Sequence, residues 1–290
     1  MKNILGFIAV GLLLVVSCDT TSQEPQPPAD NGGVPINISI NPVDDVDYEN
    51  GDKAGVFVSK TSSASQIFVN NSCFVYQDDK WSSSEELVWD SESVTSYVSC
   101  YIPYAKVDSP SEYIFDVPTD QSSYSSYKAS DLLCGFRNSV RTTSEPVSIS
   151  MKHVLSRVVV TLECGEGFSE EELAGADVWV YSWCTQAKVN LLTCLVSVHK
   201  YELSEVKSYY NSTEKRFYAV VVPNYVNDDR DFIKVRTMGG AEYLIKSAKL
   251  DMVSGKQYEF NVTLDKSGCG LNVGVTDWTV DDTDYGGNVY

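Results

Sequence analysis

Two histidines are present in the 290 residues, His153 and His199, and neither stands beside a serine or cysteine in a nucleophile motif. Imidazole catalysis needs a partner within hydrogen-bond reach, so His153 reads as a buried hydrogen-bonding residue where two parts of the chain meet. No G-x-S-x-G, phosphate-binding glycine loop or H-E-x-x-H occurs. Seven cysteines follow Cys18, at Cys73, Cys100, Cys134, Cys164, Cys184, Cys194 and Cys269, and none forms the C-x-x-C pair of a zinc site. An oxidising compartment permits disulfides among them. Against that, Cys164, Cys184 and Cys194 each continue an apolar strand face and read as small core residues. Asp45-Val46-Asp47-Tyr48-Glu49-Asn50 opens like a calcium loop, but Asn50 holds the sixth position and Val56 the twelfth, where such a loop needs glycine and a carboxylate. The acids of Asp281-Asp282-Thr283-Asp284 read as a solvated end. No catalytic residue, metal or cofactor is expected.

Cys18 is the exception to this lack of chemistry. Lys2 and the apolar run Ile4 to Val16 form a signal-peptide pattern too short to span a bilayer, and Val15-Val16-Ser17-Cys18 closes it like a lipobox. The expectation is a lipid on Cys18 after removal of residues 1–17, and an outer-membrane protein held at the cell surface by that lipid. A second candidate lies in the aromatics. Trp179, Tyr181 and Trp183 alternate with Val178 and Val180, so if the valines face the core, three rings share the opposite face. Such a patch suits a glycan, a partner subunit or another part of the chain. The formal net charge of −18, with acids scattered throughout, repels phosphate backbones and excludes nucleic acid as a partner.

The scaffold that must position these residues is all-β. After a polar, Pro- and Gly-rich tether over 18–33, Ile36, Ile38 and Ile40 alternate with Asn37 and Ser39 at the period of a half-buried strand. The same texture recurs to the end of the chain, broken by turns such as Gln77-Asp78-Asp79-Lys80 and Ser254-Gly255-Lys256. Helix starts are scarce; Ser130 and Ser169 are expected to cap short helices over Ala129–Cys134 and Phe168–Ala174. Short strands at this spacing predict sandwiches. The polar stretch Asn138 to Pro146 divides the chain into two of them, 34–145 and 146–290.

Several motifs in order resemble the fimbrillin family, including its Mfa-like branch. Gly51-Asp52-Lys53-Ala54-Gly55-Val56 is similar to the family's Gly-Asp-x-x-Gly-Val, and Trp81 with Val88-Trp89 to its paired tryptophans. Cys100-Tyr101-Ile102-Pro103-Tyr104, Asp120-Gln121-Ser122, Ser130-Asp131-Leu132-Leu133, His153-Val154-Leu155-Ser156-Arg157, Gly255-Lys256-Gln257-Tyr258 and Asp277-Trp278 follow in the family's sequence. The resemblance implies two tandem β-sandwich domains of transthyretin-like topology in a structural, adhesive subunit of a type V pilus. It also implies growth by β-strand addition: a protease cuts after Arg or Lys, the first strand leaves, and a neighbouring fimbrial subunit's strand fills the groove. Carried over, the removable strand is Val34 to Pro42.

This sequence departs from that pattern. No Lys or Arg stands between Cys18 and Asp52, so Lys53, at a strand start, is the first possible cleavage residue. An anchor or accessory subunit is therefore expected over a processed stalk protein. The alternative is a lipid-anchored module of a polysaccharide uptake system, binding a host or bacterial surface glycan or protein. Loss of polysaccharide binding on Trp179→Ala or Trp183→Ala would separate the two.

Overall fold

The computed structural model describes residues 33–43, 45–61, 64–90, 95–265 and 268–278. The signal segment, Cys18, nearly all of the tether and the acidic tail lie outside the described residues. Strands dominate, as the alternation requires. The first half is built on a six-stranded antiparallel sheet, in the order Lys80–Ser83, Ile67–Gln77, Lys53–Ser59, Ser96–Ile102, Leu133–Val140 and Lys152–His153. Facing it is a two-stranded parallel ribbon, in which the first strand, Ile38–Asn41, pairs with Val147–Ser150. Ile36, Ile38, Ile40, Val147 and Ile149 meet Val56, Val58, Phe74 and Val98 in the core between these layers.

The second half is a sandwich of a five-stranded and a four-stranded sheet. Ser156–Cys164 is central in the five-stranded sheet, antiparallel to Arg216–Val221 and parallel to Lys256–Asp265. Asp177–Ser182 and Asp231–Arg236 are the inner pair of the four-stranded sheet. Val158, Val160, Phe217, Phe260 and Val262 pack on Val178, Val180, Val206, Ile233 and Val235.

A third core joins the halves. The central strand Lys53–Ser59 is apolar on both faces, and Phe57, pointing away from the first core, meets Phe115, Leu155, Ala187, Val189 and Val220. Tyr113–Asp116, from the first half, is the edge of a three-stranded sheet with Gln186–Asn190 and Leu195–Lys200. Gln121, fully buried, fastens the same junction: its amide donates to the Val220 carbonyl at 2.8 Å and accepts from the Val220 N–H at 2.8 Å. The strand Val147–Ser150, which follows the polar stretch, lies on the first-half side of this junction.

Gly55 explains one motif. A Cβ there would sit 2.1 Å from the Tyr101 ring, whose hydroxyl lies 2.8 Å from both of its possible acceptors, the Asn71 side-chain oxygen and the Ala105 carbonyl.

Ser169 caps Glu170–Ala174 in a capping box with Glu172, as expected. The other helix is shifted. It spans Tyr124–Ser130 with Ser123 as its cap, and Ser130 is its last residue, donating back to the Ser126 carbonyl at 2.8 Å. Leu132 and Leu133 are drawn into the cores on either side of the sheet, which ends the helix early.

The cysteine expectation needs correction too. Cys134 and Cys194 form a disulfide across the third core, Cys164 is exposed, and only Cys184 of the three is a free core residue. Cys194 reaches its partner from a left-handed position, φ 57°, on the turn after Gln186–Asn190, where strand alternation says nothing about direction. The bridge closes 60 residues between the halves. Joint replacement of Cys134 and Cys194 by alanine is expected to lower stability by about 2–4 kcal/mol in urea unfolding, with the folded circular dichroism spectrum retained.

Candidate functional site

The first strand lies in a groove of the first half. Ile36, Ile38, Ile40 and Val43 are buried by it, each burial stabilising by about 1.5–3 kcal/mol. Backbone bonds hold both ends: the Ile36 N–H donates to Leu87, the Trp89 N–H to Val34, and the Val147 and Met151 N–H groups to Asn37 and Asn41. The Asn37 amide reaches the Ser144 carbonyl and that of Asn41 the Ser148 hydroxyl, each at 2.8 Å.

Just beyond the strand, Asp45 enters a charged clasp. Its carboxylate takes a hydrogen bond from His153 Nε2 at 2.9 Å and pairs with the Arg157 guanidinium at 2.7 Å. His153 Nδ1 meets the Asp131 carboxylate at 2.9 Å. The imidazole stacks on the Trp278 indole, ring centroids 4.0 Å apart and 3° from parallel, and the Arg157 guanidinium sits 4.9 Å from the same ring. Four stretches of chain thus meet: the linker after the first strand, the end of the first helix, the opening of the second half, and the end of the last described strand. A second tie holds the linker where Lys128 pairs with Asp52 at 3.1 Å and Glu49 at 3.2 Å.

Burial alone would push the His153 pKa down, but the Asp131 and Asp45 carboxylates overcome it and hold the imidazole up at about 9. Burial pushes Asp45 the other way; the His153 hydrogen bond and the Arg157 charge outweigh it and keep the carboxyl below its ordinary range. Near neutral pH the clasp is a neutral quartet of two cations and two anions, with both imidazole N–H groups donating. This gives His153 the buried hydrogen-bonding role expected of it. Asp45, read in sequence as the first residue of a calcium-like loop, serves as its partner. Among the described residues no group of His, Cys, Asp or Glu is placed to hold a metal ion.

Lys53 opens the second strand with an exposed side chain, but its backbone pairs with Val75 and its carbonyl accepts from the Tyr104 N–H at 2.9 Å. Trp179 and Tyr181 stand half-buried on the outer face of the four-stranded sheet, with Val178 and Val180 in the core, whereas Trp183 lies just past the strand's end and packs against that same core, so the three rings do not share one face. The Trp179 ring is flanked by Lys234 at 4.5 Å, Arg236 at 4.9 Å and Lys207 at 5.6 Å, from the strands on both sides. The chain's own cations therefore occupy the faces that a sugar would stack on.

Two sandwich cores and a structural, carboxylate-clamped histidine define an all-β protein whose buried polar groups hold strands together. The chain belongs to the fimbrillin-like family, whose model matches residues 43–278, and like that family it is structural and not catalytic. In fold it resembles a candidate cell adhesion protein from Bacteroides uniformis, with 19% identity over 88% of this chain and 100% of the other, at a TM-score of 0.71. A second candidate cell adhesion protein, from Bacteroides ovatus, shares 14% identity over 86% of this chain and 99% of its own, at a TM-score of 0.65. A fimbrial protein of Bacteroides ovatus matches at 16% identity over 80% of this chain and 48% of its own length, at a TM-score of 0.52. No curated protein matches this chain.

Because the folded pKa of His153 lies above the unfolded value of 6.5, its contribution is complete below that pH and is lost as pH rises through about 9. Asp45 acts at the other end, its contribution present above 3.8 and lost as pH falls below it. Urea unfolding should therefore show stability falling between about pH 6.5 and 9. His153→Ala is expected to cost about 3–5 kcal/mol at pH 6 and to flatten that fall; a variant that keeps the wild-type slope would assign the titration elsewhere.

Proposed function

We propose that this chain is a surface-exposed, adhesive subunit of a pilus system, lipid-anchored to the outer membrane through Cys18, which keeps its first strand and serves as an anchor or accessory subunit. Family membership supports the pilus assignment, and the relatives described as cell adhesion and fimbrial proteins agree with it. Tandem sandwiches of transthyretin-like topology are part of the same reading; the separate first and second cores support two such units, with Val147–Ser150 packed in the first rather than the second. Its partners are other fimbrial subunits, engaged by β-strand addition.

The observation that carries strand retention is the state of Lys53. A protease reads its substrate as an extended, unpaired segment, whereas Lys53 and Ala54 open a strand paired with Val75 and Phe74 on one edge, with the Lys53 carbonyl held by the Tyr104 N–H on the other. The linker before it carries no Lys or Arg and is tied down at Asp45, Glu49 and Asp52. A strand kept by its own subunit blocks the groove that a donor strand would fill, which suits the end of a fibre.

Mass and N-terminal analysis of protein recovered from the cell surface should give a chain beginning at lipidated Cys18. Cys18→Ala should abolish labelling by a lipid precursor and release the protein from the membrane fraction. A mature start between Asp44 and Val56, with a denaturation-resistant ladder of multimers, would restore the stalk reading.

A further inference from the structure

The first strand is itself a sheet edge. Its Asn37 and Asn41 carbonyls accept from Val147 and Met151, so by backbone alternation the N–H and C=O groups of Ile38 and Ile40 point away from that partner strand. On that side the Ile36 N–H bonds Leu87 and Pro35 bridges Val88, but the pairing stops there. The four backbone groups of Ile38 and Ile40 have no partner among the described residues.

They border a cleft of about 910 Å³ between the first strand and Lys80–Ser83, the edge strand of the six-stranded sheet. The cleft is walled by an aromatic triad, Tyr48, Tyr76 and Trp81, with ring centroids 5.0–5.5 Å apart, and by Phe74. The Trp81 indole N–H is shielded from solvent and has no hydrogen-bond partner among the described residues. Asp47, Asp79, Glu85 and Glu86 line it, all exposed and, among the described residues, none in an ion pair, against one described cation, Lys80.

We infer that this cleft takes an extended segment of a partner protein as an added strand on the Ile38–Ile40 edge, with aliphatic side chains against the aromatic triad and lysine or arginine toward the acidic rim. Unpaired edge groups supply the main-chain bonds and alternate side chains set the register. The rim selects charge, and it disfavours a second copy of this chain, whose net charge is −18. This goes beyond subunit assembly by strand replacement, because the guest lies beside the first strand and leaves it in place. The inference rests on the reading that the first strand is retained.

The probe is an end-capped octapeptide of alternating lysine and valine with a fluorophore, titrated by anisotropy against the full-length chain. It should bind, and the glutamate–valine counterpart should bind at least about tenfold more weakly. N-methylation of either all valine or all lysine amides should weaken binding about tenfold, and methylation of the other set should not, since one edge of a strand faces the host. Glu85→Lys with Glu86→Lys, both exposed, should reverse the charge preference. The inference is overturned if the lysine–valine peptide does not bind, if both methylated sets behave alike, or if the charge-reversed variant binds as the wild type does. Failure on a chain that still carries residues 34–43 refutes this site alone; a surface protein that begins past them refutes strand retention instead.

Discussion

A histidine kept as a cation between two carboxylates, with an arginine and an indole closing the remaining sides, is costly to assemble and more costly to break. Taking four charges out of water is repaid only when each has its partner, and removal of any one leaves an unmatched charge behind. His153, Arg157, Asp45 and Asp131 therefore act as one unit. Through Asp45 the clasp ties the linker after the first strand to Arg157 at the opening of the second half, and so fixes where that linker runs. Since Asp45 lies four residues past the end of the first strand, it also decides how firmly that strand is seated.

The arrangement of layers follows from a strand with no polar face. Lys53–Ser59 is buried on both sides, so the sheet that contains it needs a core above and another below. The first strand and its ribbon supply one; the three-stranded sheet and the end of the second sandwich supply the other. The second face is shared by both halves, and the Cys134–Cys194 bond and the Gln121 amide lie within it. The halves are thus joined through packing as well as through the chain.

Much of this was legible in the residues. Alternation located the first strand and the valines of Asp177–Ser182, and the motif residues Gln121, Asp131, His153, Arg157 and Trp278 prove to be the ones that fasten the halves. The clasp itself was not legible, because Asp45 stands 108 positions from His153 and carries no local pattern that marks it as a partner. The disulfide escaped for a similar reason: Cys194 leaves the strand on a left-handed turn, and strand periodicity predicts direction only inside strands. The helix boundary failed locally, where a serine suited to begin a helix instead ends one by bonding back to the preceding turn.

The parallel pairing of the first strand has a consequence for how the molecule comes to be. Asn41 and Ser148, which hydrogen-bond across that ribbon, are 107 positions apart. A chain synthesised from its N-terminus delivers Ile38–Asn41 early, yet the strand beside which it belongs follows only after most of the first half. Closing so long a loop is entropically expensive and comes late, after contacts nearer in sequence have formed. The order of emergence and the order of closure run opposite ways. The first strand is the last of its sandwich to be sealed, and until then the groove stands open to any strand that reaches it.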